Sequence, residues 1–265
     1  MFLAKPPPDK LKSFADDLEA RLGDAATRAV KLLVWFCGSA DGHNPIGASK
    51  RLAFSADGIE WRQLPRTANF HLKEGFAELI MTDAAAAAVD ELWQGGIEEP
   101  LAHELFREAA AQEDDNPRSC LVLGVAAAEV GFKQLVGSLV PDAKWLADNV
   151  PSPPLVKMLR DYLPTLPTKV RLEGAKPRVP TNIIETLRKA VLLRNQVSHG
   201  EAPKISSDTL HEILGAIHDC LYLFDCYNGH RWAWDRITIE TQRLIVQESS
   251  EDSSGGKEKK TKPTR

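Results

Sequence analysis

The sequence predicts an α+β chain that is mainly α: a small N-terminal α/β module with a β-hairpin, then a longer helical domain. Three observations predict it. Apolar residues recur every three or four positions over most of the chain from residue 76 onward, the period changes around Ala29–Phe36, and Asp57-Gly58 is a turn signal between two short β-prone runs. At 265 residues, with 43% hydrophobic and 26% charged, the chain can fill one large core or two small ones, which excludes wholesale disorder. The expected division is an α/β module over 1–95, a helical domain over 96–235, a terminal strand over 236–246 and a disordered tail over 247–265.

In order along the chain, Leu11, Phe14, Leu18 and Leu22 form one apolar helical face, and Gly23 is a natural stop. Ala29–Phe36 is apolar and rich in Val, Leu, Trp and Phe, which predicts a strand. Arg51–Phe54 and Ile59–Leu64 flank Ser55-Ala56-Asp57-Gly58 as the arms of a hairpin. Between strand and hairpin, Gly38–Gly47 is rich in turn formers and lacks the Gly-Lys-Ser/Thr ending of a phosphate loop, so it reads as a surface loop.

Helices follow. Phe76–Met81 leads to Thr82-Asp83, a capping signal before an alanine run that ends at Gly95-Gly96. Pro100 and Asn116-Pro117 open two more, the second reaching about Leu139. Short apolar helices are expected around Trp145-Leu146 and over Leu155–Tyr162, then a Pro-, Lys- and Arg-rich loop from Pro164 to Pro180 with a moderately basic surface. Thr181-Asn182 caps a long helix ending at Gly200, and Ser206-Ser207-Asp208 caps another reaching about Tyr227. Ile237, Ile239 and Leu244–Val246 predict the last strand. From Gln247 the residues are polar, so no burial offsets the entropy of ordering them, and the basic cluster Lys257–Arg265 is read as solvated.

Charge and cysteine usage limit the function. A formal charge of -4 and a pI near 6.0 argue against coating nucleic acid through bulk charge, and leave room for a local basic patch. Met1–Lys5 followed by three prolines lacks the apolar stretch of a secretion signal, and no apolar run approaches roughly 20 residues, so a cytoplasmic protein without membrane contact is expected. Cys37, Cys120, Cys220 and Cys226 fit no zinc or disulfide spacing and are expected as reduced thiols, with no metal and no cofactor.

The stretch with chemistry in it is Leu193-Arg194-Asn195-Gln196-Val197-Ser198-His199-Gly200 at a helix end. Asn195 and His199, four apart, share a face, whereas Arg194 and His199 diverge by about 140° on a straight helix. They converge if the arginine swings round or the last turn tightens before Gly200. A guanidinium grips phosphate and stabilises developing charge, and an imidazole moves protons near neutral pH. That trio suits cleavage of RNA, whose own 2′-hydroxyl is the nucleophile and needs no metal. The spacing alone is weak, because Arg66 and His71 repeat it in a loop-and-strand context. The competing reading has Arg194 paired on the surface, Asn195 solvated and His199 serving only as a C-terminal cation at the helix end.

The segment resembles the Arg-Asn-x-x-x-His signature of HEPN domains. The order of elements over about residues 98–235 is similar too, from the helices opening at Pro100 and Pro117 through the Pro154–Leu163 segment to the two long helices flanking the motif. The resemblance implies an up-and-down bundle of four or five helices that forms a homodimer with two motifs facing one cleft. It also implies a metal-independent endoribonuclease of toxin or antiphage systems, with an antitoxin or defence partner. Arg194 would then hold the scissile phosphate, Asn195 orient it or His199, and His199 act as general acid and base. Glu129, with Lys133 four residues on, matches the polar position the family often places on an earlier helix. A solvated i,i+4 pair is the equal alternative for those two. The rival function is a HEPN-like module that binds nucleotide or protein without cleaving, or a structural subunit of a defence assembly.

Other groups are expected to carry less. His103-Glu104 lacks a second zinc-protease histidine, and His211 with His218 share a face without a carboxylate at ligand spacing. Trp232 and Trp234 read as core anchors rather than base-stacking groups.

Overall fold

A computed structural model describes residues 9–38, 53–54, 59, 62–63, 82–149, 154–172 and 176–255. These residues are mainly helical and divide into two compact units, one with the described residues from 9–37 and 53–98, the other running from Glu99 onward.

In the first unit, α1 spans Asp9–Cys37 without interruption, so the strand expected at Ala29–Phe36 is helix. An apolar run of eight fits a buried strand or a buried helix equally well. Here an upstream helix is already nucleated, and carrying it through Gly23 costs only about 1 kcal/mol. The Thr27 hydroxyl bonds the Gly23 carbonyl at 2.8 Å across that turn. α2, Asp83–Gln94, is capped as expected, the Thr82 side chain accepting from the Ala85 N–H. Arg28 of α1 lies over the Trp93 ring at 4.4 Å and donates to the Trp93 carbonyl at 2.8 Å, which fastens α1 to α2. The strands come to two residues each: β1, Ala53–Phe54, pairs antiparallel with β2, Arg62–Gln63. The turn Ser55–Gly58, the loop beyond Gly38, the Arg66–His71 repeat and Phe76–Met81 lie outside the described residues.

The second unit is built on α4, Pro117–Leu139, which packs against α3 (Leu101–Ala110), α7 (Thr181–Ser198) and α8 (Ser207–Tyr227). α4 has the length and apolarity of a bilayer-crossing helix, although the sequence shows no unbroken apolar run of that size; 61% of its most apolar window is buried inside the protein. Small residues let α8 approach. A Cβ on Gly131 would lie 2.5 Å from the Leu221 side chain and 3.3 Å from Ala102. Between α4 and α7 come α5 (Lys144–Asn149) and α6 (Leu155–Lys157); α6 continues through a π turn at Met158–Tyr162 and a 3-10 turn at Leu163–Thr165. Leu155, Leu159 and Leu163 are buried along one face of it.

The terminal strand expected over 236–246 is also helix. α9 spans Ile239–Gly255; Ile237, just ahead of it, and Thr241 and Ile245 within it are buried at every fourth position, a period that the alternation of Ile237 and Ile239 disguises. The polar residues 247–255, expected as tail, continue this helix, and 256–265 lie outside the described residues. Glu248 is one reason for the extension: its carboxylate accepts from the Thr181 N–H at 3.2 Å and its carbonyl from Arg178 at 3.0 Å. Thr181 and Asn182 therefore do not cap α7 themselves. Pro180 holds the cap position without a side-chain bond, and α9 supplies the acceptor.

Candidate functional site

α7 ends in a Schellman motif. The Glu201 N–H bonds the Gln196 carbonyl at 2.9 Å, the Gly200 N–H bonds the Val197 carbonyl at 3.0 Å, and Gly200 takes φ +83°. That left-handed turn requires a residue without a Cβ, which explains the glycine after the histidine. His199 is the last residue before it, and its N–H is shared between the Asn195 carbonyl at 2.9 Å and the Gln196 carbonyl at 3.2 Å. The sharing is the tightening of the last turn that convergence called for.

The side chains part company nonetheless. Arg194 turns inward to α4, where it forms an ion pair with Glu129; the two side chains are only 18% and 12% exposed. The guanidinium Nε is buried without a hydrogen-bond partner, so one donor of the fork is unused. Asn195 and His199 are exposed. Among the described residues no hydrogen bond joins the three side chains. Glu129 is buried and Lys133 half-buried on α4, so Glu129 does not stand on a solvated outer face and instead reaches across to α7.

A second polar cluster escaped sequence reasoning. His103 of α3 contacts Asp225 of α8 at 2.8 Å through Nε2, both residues buried, beside a cleft of about 50 Å³ that Gln134 and Asn228 also line. Tyr222 packs between the rings of His103 and His218, 4.7 and 4.8 Å from each. Glu99 and Arg107 pair next to it in fork geometry, with one bond of 2.7 Å. Burial lowers the Arg107 guanidinium, but the Glu99 bond and charge override it and hold it above its ordinary value. Burial pushes His230 below the usual histidine range, although Asp225 pulls it up. The one local signal was a pair of carboxylates, Asp219 and Asp225, inside the apolar run of α8, since buried carboxylates demand partners.

The remaining candidates are structural. His211 is exposed, 3.4 Å from Glu113, and His218 bonds Asp219 at 3.2 Å. Trp232 sits edge-on to Tyr222 at 6.3 Å in the 3-10 turn Arg231–Arg236, which fits the core-anchor reading. In the basic loop, Lys169 Nζ bonds Asn228 at 2.9 Å, and the Tyr227 hydroxyl accepts from the Arg178 N–H while donating to the Arg178 carbonyl. The four cysteines are free; burial pushes the Cys120 thiol up to about 12 and those of Cys220 and Cys226 up as well, so these three are inert. No group of three or more potential metal ligands occurs among the described residues.

No family model, no curated protein and no solved structure matches the chain.

Proposed function

We propose that the protein is a cytoplasmic, metal-independent endoribonuclease of HEPN type, acting in toxin or antiphage defence with RNA as substrate. The observation that carries this reading is the end of α7. There a half-buried guanidinium, positioned by Glu129 and with its Nε donor unused, is followed five residues on by an exposed imidazole at a tightened turn. The finer fold goes with it: an up-and-down bundle behind an N-terminal α/β module with a hairpin.

In this mechanism the His199 imidazole takes the proton of the 2′-hydroxyl, and the freed oxygen attacks the adjacent phosphorus. Arg194 holds the phosphate oxygens as charge builds on them, with Asn195 orienting either group. The leaving 5′-oxygen receives a proton from the imidazolium of a second copy across a two-fold cleft, which requires a homodimer. The products end in a 2′,3′-cyclic phosphate and a 5′-hydroxyl. Incubation of the protein with single-stranded RNA in EDTA yields such ends from wild type and none from His199→Ala or Arg194→Ala; cleavage retained in His199→Ala overturns the assignment.

The Arg194–Glu129 pair also favours a second reading, because it neutralises the cation that phosphate would seek. In that case the domain binds nucleotide or protein without cleaving. Binding of labelled RNA or nucleotide by a wild type that cuts no RNA decides for it.

A further inference from the structure

We draw no further inference here: the strongest candidate, the cleft of about 50 Å³ between the start of α3, the second half of α4 and the end of α8, has its two ionisable groups, His103 and Asp225, bonded to each other and room for little more than a few waters, so nothing in it selects a ligand.

Discussion

Asp225 on α8 and His103 on α3, 122 residues apart in sequence, meet at 2.8 Å with both side chains less than a tenth exposed. The contact ties together two helices that both pack on α4. Removing the imidazole takes a charge-assisted partner from a buried carboxylate. His103→Ala is therefore expected to cost about 2–4 kcal/mol, and a double-mutant cycle with Asp225→Ala to give a coupling of about 1–3 kcal/mol. Urea unfolding measures both; additive losses would show that the pair is incidental.

Glu129 and Arg194 join α4 to α7. Glu129→Gln keeps the shape and removes the charge, and is expected to destabilise by about 1–3 kcal/mol without changing the denaturant slope. On the ribonuclease reading it also loosens Arg194, so cleavage falls more than folding does. A variant as stable and active as wild type would remove Glu129 from the site.

Gly200 stands at φ +83°. Gly200→Ala is expected to cost about 1 kcal/mol and to fray the last turn of α7, with faster amide exchange at His199 and Gly200. His199→Ala, at an exposed position, is expected to stay within about 0.5 kcal/mol of wild type. The two variants separate a loss of the turn from a loss of the imidazole.

Acid sensitivity should centre on Asp219. Burial raises this carboxylate, but bonds from the His218 ring, the Thr238 and Thr241 hydroxyls and the Thr238 N–H outweigh burial and hold it below its ordinary 3.8. A carboxylate lowered on folding contributes stability above its unfolded value, and that contribution disappears as pH falls from about 4 through the folded one. Asp219→Asn is thus expected to be less stable at pH 7 by about 1–2 kcal/mol, with a flatter decline in Tm below pH 4. An Asn variant whose acid profile parallels that of wild type would contradict this.

Much of the helical layout was legible because its signals are local. Thr82, Asn116 and Ser206 cap the helices they precede through their own side chains, and Gly200 ends α7 as its position implies. What misled was apolar text that two periods fit. Ala29–Phe36 and Ile237–Val246 both read as strands until neighbouring helix and burial choose otherwise. Of the residues proposed for a site, Glu129 stood out in the sequence as a carboxylate within an apolar helix. Its attachment to Arg194 did not, because 65 residues separate them. The His103–Asp225 pair left still less trace, since neither residue has a local motif and only the folded core brings them together.

The borrowed cap on α7 has a temporal side. A ribosome delivers this chain from its N-terminus, so Thr181 emerges long before Glu248, the residue whose carboxylate satisfies its amide. Until Glu248 has left the exit tunnel, the rod bearing Arg194 and His199 has an open first turn, which closes only once the 67 residues from Thr181 to Glu248 have followed.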